Sequence, residues 1–562
     1  MIVALYKSVN KKTGGDKMQK RSLILMLCLA FLLLFTACQS DSDTAGEEDN
    51  NTNNNNENAE QEGTDQVNND RVDEEDRELV VGIEAEPTSM DPQNTTDSVS
   101  ATVQSTMFEG LLRFDETMSI IPVLAESYDY SDDARKITFH LREGISFHDG
   151  TYFDAHVVKE NLDFVRDSDN GLARSSFFSF IETVDVEDDY IVTVTSSEPN
   201  SAMASYMAHS SAAMKSVDEI NKKKDDPDYN MDREGAVGTG PFKFVEWRDS
   251  EHVIVEKFED YWNEEERPQV SQVVFKPVQE ASTRVNMLKT GEVDLIFPIP
   301  TLNASELEAE EDIDLYTGTT TDLYYIGMNF QKEKYQDQNV RHAMNHAVNK
   351  DGLIAQVLDG YGSVAESAIA PSVYGYSSQG VYEYDVDLAS ELLSETDFAD
   401  GFEATLWTRN NTEFVSVAEY VSIQLAEIGI NVEVQSYEAG TLFDMLDAGD
   451  GTDLWIGRWS PGTGEADYGL RPNFASDRVP PNFNNSGFYV NEDLDVLFDE
   501  AIASPDEEHA LQVYDEIQQI IFEEAPWVFL HIPDAVIAKN RDLGGVTVMP
   551  SGAVRLNTAY FQ

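Results

Sequence analysis

Where a packed core can begin is set by the first eighty residues. Residues 22–37, SLILMLCLAFLLLFTA, form one apolar run behind Lys17, Lys20 and Arg21, and the run stops at Cys38. It is shorter than the ~20 residues a helix needs to cross a bilayer, and it closes on small residues. That pattern predicts a secretory signal peptide over residues 1–37, with Met18 as a second possible start. Residues 39–78 are acidic and rich in asparagine. Too little of this stretch is apolar for burial to offset the entropy of ordering it, so it is expected to be a solvated tether. A fold must therefore start near Leu79.

The tetrad Phe35-Thr36-Ala37-Cys38 resembles a bacterial lipobox, with phenylalanine where leucine is usual. The resemblance implies cleavage before Cys38 and acylation of its thiol, and two acyl chains suffice for stable membrane anchoring. The alternative is an uncleaved signal anchor whose cysteine is incidental. Cys28 lies in the removed segment, so the processed chain keeps no second thiol for a disulfide or a thiolate metal site.

Acidic residues number 105 against 38 basic ones, a formal charge of −67. Such a surface repels nucleic acid, which is not expected as a partner, and repels other copies of itself, which favours a monomer. The excess fits a salty or alkaline medium, where screening tolerates it, or simple solubility.

From Leu79 onward strands and helices alternate without repeats. Strands are predicted at 78–83, 136–141, 190–195, 252–258 and 430–437, and helices at 154–167, 280–291, 338–360, 413–429 and 510–525. Asp154 is an expected N-cap, and Gly291, Gly360 and Gly429 are expected C-caps. Gly144, Gly150, Gly238 and Gly240 are expected at turns. The alternation predicts an α/β fold with mixed sheets.

Several stretches together resemble the extracellular solute-binding proteins of family 5, the peptide and nickel receptors of ABC importers. They are EAEPTSMDP (84–92), FEGLLRFDE (108–116), PVLAESYDYSDDARKITFHLREGISFHDGTYFDAHVVKENLDFV (122–165), GTGPFKFVEW (238–247), GEVDLI (291–296) and NVRHAMNHAVNKDGLIAQVLDGYG (339–362). The resemblance implies a two-lobed periplasmic-binding-protein-like fold (type II, cluster C) with an extra domain on lobe one. Lobe one would comprise 79–110, 236–325 and 527–562, the extra domain 111–235, and lobe two 326–526, with ligand in the cleft between lobes. It further implies an ABC permease with its ATPases as partners, no cofactor, and no chemistry on the ligand. With Cys38 it implies a lipid-anchored protein on the extracellular face of a Gram-positive cell membrane.

Two stretches of lobe two bear on the ligand: EATLWT (403–408) with Arg409, and LWIGRWSPGTGEADYGLRPNF (454–474). In peptide-binding relatives an acid three residues after the tryptophan of the second stretch takes the peptide amine. Counted from Trp459, that position is Gly462, and the next acids are Glu465 and Asp467. The pattern is more similar to glutathione-binding members. Their ligand carries two carboxylates, for which Arg409, Arg458, Arg471 and Arg174 are the candidate partners, Arg409 first. Each arginine could instead pair with a surface acid. Asp467 is the candidate for the ammonium, and Trp407, Trp459 and Tyr468 for apolar walls, although aromatics also serve cores.

An enzyme would need a catalytic constellation. His342 and His346 stand at i, i+4 like zinc ligands, but position 343 is alanine, which removes the base of a zinc protease. His148, Asp149, Asp154 and His156 fall in the turn motif, and no G-x-S-x-G elbow occurs. Three functions remain, in order: a receptor for glutathione or a γ-linked peptide; a receptor for ordinary di- or oligopeptides, nickel chelates or another small solute; and, remotely, a secreted hydrolase.

Overall fold

The computed structural model describes residues 77–562 except 450 and 483. The signal peptide, Cys38 and the tether through residue 76 lie outside the described residues. Among the described residues no helix is long and apolar enough to cross a membrane.

The strand Trp527–Asn540, fourteen residues long, organises the main sheet. Its first half, Trp527–Ile532, is buried on both faces, as its apolar sequence WVFLHI requires. There it pairs antiparallel with Leu323–Met328 on one side and Gly362–Val364 on the other. Its second half pairs antiparallel with Ile313–Thr319 and with Leu295–Phe297. The changeover falls at Pro533, which has no N–H to give a ladder.

Beyond these neighbours the sheet grows in two directions. From Leu323–Met328 it runs through Leu454–Trp459 and Phe402–Arg409 to the edge strand Ile430–Tyr437. From Leu295–Phe297 it runs through Glu78–Ile83, Gln272–Pro277 and His252–Lys257 to Phe242–Arg248. Helices Gln338–Ala347, Lys350–Val357 and Thr412–Ala426 contribute to the core beneath the first half, which includes Met344, Leu353 and Val417. Leu323–Met328 fits between its neighbours because small and large residues alternate across the ladder. Gly327 pairs with Trp455, and Gly457 pairs with Tyr325. A Cβ at Gly327 would lie 2.1 Å from the Trp455 ring, and one at Gly457 2.2 Å from Tyr325.

Residues 111–214 build a separate core around a four-stranded antiparallel sheet in the order Ala125–Tyr130, Lys136–Leu141, Ile191–Ser196, Ile181–Asp188. Helix Ala155–Arg166 packs on it, and the Asp154 carboxylate accepts the N–H groups of His156 and Val157, so the expected N-cap is present. His148 fixes the turn motif to the 238–240 loop: its Nδ1 accepts the Gly238 N–H at 3.3 Å and its Nε2 meets the Gly240 carbonyl at 2.9 Å. Gly238 and Gly240 are needed for close approach, since a Cβ at Gly238 would lie 2.1 Å from the Met107 carbonyl oxygen.

One expected helix proves to be two. The stretch 338–360 breaks after Ala347, because the Asn349 side chain accepts the Gly352 N–H at 2.8 Å and starts a second helix. That helix ends at Val357, so Gly360, at φ 90°, lies beyond its cap, whereas Gly291 caps Ala281–Thr290 directly.

Burial holds three histidines as neutral rings, His148, His209 and His531. Burial pushes the pKa of His148 down to about 4 and that of His531 to about 3. Both nitrogens of His531 lack a hydrogen-bond partner, and its ring stacks on Tyr324 at 4.6 Å. Below about pH 6.5 the unfolded chain binds protons at these sites that the native chain refuses. Stability is therefore expected to fall as pH drops from about 6.5 toward 4, and His531→Phe should flatten that fall. Urea midpoints measured across this range test it; a His531→Phe profile parallel to the parent's would contradict the assignment.

Candidate functional site

The parallel strands Phe402–Arg409 and Leu454–Trp459 bring their carboxyl ends to one edge of the sheet, the place where open α/β sheets bind ligands. Trp407 pairs with Trp455, so two residues on Arg409 comes alongside Gly457, with Trp459 next on the same face. The Arg409 guanidinium lies over Phe414 at 4.5 Å and over Phe443 at 4.9 Å. Among the described residues no carboxylate forms an ion pair with it. Burial, and then the neighbouring charge of Arg458, lower its pKa. Arg458 has one acid, Asp322, 3.5 Å from its Nε, and that charge raises its pKa.

The acids of the next loop have other work. Glu465 caps the helix Ala466–Phe474: its carboxylate accepts the N–H of Asp467 at 2.6 Å, the N–H of Tyr468 at 2.9 Å, and the Thr463 hydroxyl at 3.1 Å. Burial and the Asp467 charge raise its pKa. Both oxygens of Asp467 take Arg471 Nε at 3.0 Å, and one also takes the Tyr514 hydroxyl at 3.4 Å. Arg471 spends its remaining N–H groups on Asp499, at 2.9 Å, and on the Phe498 carbonyl. The expected ammonium partner and one expected carboxylate partner are therefore bonded to each other. A sequence shows that an aspartate and an arginine stand four apart, but not that the helix turns them inward. Trp407 is buried in the core beside Tyr437, 5.5 Å away.

A further wall comes from the 111–235 segment. Arg174 donates from Nε to the Thr95 carbonyl at 2.8 Å and lies 4.9 Å from the Phe177 ring. Phe177 packs on Tyr468 at 5.2 Å, and Tyr468 on Trp459 at 5.6 Å. A Cβ at Gly462 would lie 3.3 Å from His209 Nε2. Phe177 and His209 were not among the residues singled out from sequence. The run SSFFSF (175–180) is conspicuously aromatic, but it has no periodicity that would aim it at a site 290 residues away.

His342 and His346 face carbonyls rather than a metal: His342 Nε2 meets that of Glu523 at 2.7 Å, and His346 Nδ1 that of Glu383 at 2.8 Å. In the turn motif, Asp149 accepts the hydroxyls of Thr151 and Ser216.

Asp467→Asn should weaken its pairing with Arg471 and lower stability by about 1–3 kcal/mol, allowing for the partial exposure of the arginine. Denaturant unfolding measures this directly. An unchanged midpoint would return Asp467 to the list of groups free for a ligand.

Comparison with known proteins shows the family. Residues 119–480 match the family model described as bacterial extracellular solute-binding proteins, family 5 Middle. The chain is 34% identical over 479 residues to the glutathione-binding protein GsiB of Pectobacterium atrosepticum, covering 84% of this chain and 92% of that one. It is 33% identical to its namesake from Escherichia coli O1:K1, over 86% and 95% of the two chains. Among solved structures, the periplasmic binding protein DppA of Helicobacter pylori with the peptide STSA superposes with a TM-score of 0.73 at 26% identity, covering 86% of this chain and 98% of that one.

Proposed function

We propose a ligand on one premise: the chain belongs to the bacterial extracellular solute-binding proteins of family 5. Its fold is the two-lobed one of that family, and its role is to capture solute for an ABC importer. The proposed ligand is a short peptide that presents a carboxylate to Arg409 and Arg458, with glutathione or another γ-linked peptide first in line.

The observation that carries this is the isolation of Arg409. Arg409 is half-buried in a chain of 105 acids and 38 bases, and among the described residues it has no ion pair. It sits beside a second arginine, whose charge adds to the cost of its own until an anion arrives. Desolvated Arg–carboxylate pairs are strong, which suits a clamp. The relatives named as glutathione-binding support the choice of ligand.

In this proposal no bond of the ligand changes. Lobe one is 79–110, 236–325 and 527–562, lobe two is 326–526, and 111–235 is an added domain. Ligand touching both lobes shifts their population toward the closed form, which docks on the permease. Acylated Cys38 holds the protein on the outer face of the membrane of a Gram-positive cell.

Glutathione, reduced or oxidised, should raise the melting temperature of the chain lacking residues 1–38, by the stabilisation of about 2.7 kcal/mol that a ligand gives at a hundred times its Kd. Arg409→Ala should cost about 2–5 kcal/mol of binding. A shift with ordinary dipeptides and none with glutathione would reverse the order of ligands, and an unaffected Arg409→Ala would remove the clamp. Separately, Cys38→Ser should release the protein from membranes in cell fractionation; continued lipid labelling of that variant would refute the anchor.

A further inference from the structure

Among the described residues, Arg174 is one of several half-buried arginines without an ion pair, as Arg142 and Arg555 also are. Only its Nε has a protein acceptor among them, the Thr95 carbonyl at 2.8 Å. Burial lowers its pKa, so the fold holds a charge here against its own desolvation. The aromatic wall of Phe177, Tyr468 and Trp459 joins it to the strand face on which Arg409 stands.

The groups around Arg174 on this wall are donors. The hydroxyl of Ser175 is buried without a hydrogen-bond partner, and so is the indole N–H of Trp459. His209 Nδ1 accepts the Ser211 backbone N–H at 3.1 Å, which places the ring's own proton on Nε2. That nitrogen points toward Gly462. Burial and the Arg174 charge push the His209 pKa down to about 3, so the ring stays a neutral Nε2 donor. Buried donors are costly to leave unmatched, and a set of them around an unpaired guanidinium matches an anion.

We propose that Arg174, with Ser175, His209 Nε2 and the Trp459 indole, forms a second anion subsite that takes a second carboxylate of the ligand. The inference rests on the peptide-binding proposal above and narrows it. The cleft selects peptides with a carboxylate at each end, as a γ-linked glutamyl head supplies, over peptides whose amino end carries no carboxylate.

Calorimetric titration of the chain lacking residues 1–38 tests this with two probe pairs. One is glutathione against γ-aminobutyryl-cysteinyl-glycine, which lacks the glutamyl carboxylate. The other is N-succinyl-alanyl-glycine against N-acetyl-alanyl-glycine. The parent chain should prefer the dicarboxylate of a pair by at least about 30-fold. Arg174→Gln should reduce that preference to about threefold or less while leaving the monocarboxylate's affinity unchanged. Trp459→Phe, which keeps the ring and removes the donor, should erode the same preference and decides the matter if Arg174→Gln does not fold. A preference that survives these variants, or equal weakening of both members, overturns the subsite. Loss of the succinyl preference without any glutathione binding would uphold the subsite and refute glutathione as ligand. No binding of any probe to the parent chain would refute both.

Discussion

One strand holds the two halves of the main sheet in a single hydrogen-bonded ladder. Residues 527–532 of Trp527–Asn540 pair on both sides with strands of one half, and residues 534–540 with strands of the other. Backbone pairing fixes strands about 4.8 Å apart and in register. The positions of Arg409 and Trp459 relative to the other half thus follow from that ladder through Leu323–Met328 and Leu454–Trp459. The reciprocal fit of Gly327 under Trp455 and Gly457 under Tyr325 stiffens the same strands, and Tyr325 stacks on Trp527 with ring centroids 3.6 Å apart. The wall that carries the arginines is therefore rigid close to the point where the sheet passes from one half to the other.

Charge is the second theme. Buried charges in this chain are generally answered. Asp91 takes Lys215 at 2.8 and 2.9 Å with both groups almost fully buried, and this pair ties the 84–94 segment to the 111–235 segment. Glu109, with no cation in contact, accepts from Tyr261, Trp262 and Thr239. Such answered groups serve the scaffold, because a buried charge persists only when paired or fully hydrogen-bonded. Arg409 and Arg174, like Arg555, have no ion pair among the described residues of a strongly acidic protein. A half-buried guanidinium left open in this way is a place where an external anion can bind.

Much of the scaffold was legible before any coordinates. The strands at 78–83, 136–141 and 430–437 fall where their alternating patterns put them, and Asp154 and Gly291 cap their helices as local chemistry dictates. Asn349 was overlooked as a helix start, although asparagine is a strong N-cap, because the apolar period runs on through it. Of the candidate site residues, Trp459 and Tyr468 do stand near one another. Glu465 and Asp467 looked available in sequence, and their commitment to a cap and to Arg471 appears only once the helix direction is known.

The sequence by itself determined the class of molecule: where folding starts, the α/β alternation, the family motifs, and the excess of acid. These depend on composition and on contacts between residues a few positions apart. Only the tertiary structure decided which charges are answered and which are left open. An ion pair such as Asp91–Lys215, or a wall that joins Phe177 to Tyr468, forms between residues far apart in the chain, and their meeting is set by how the strands are laid side by side.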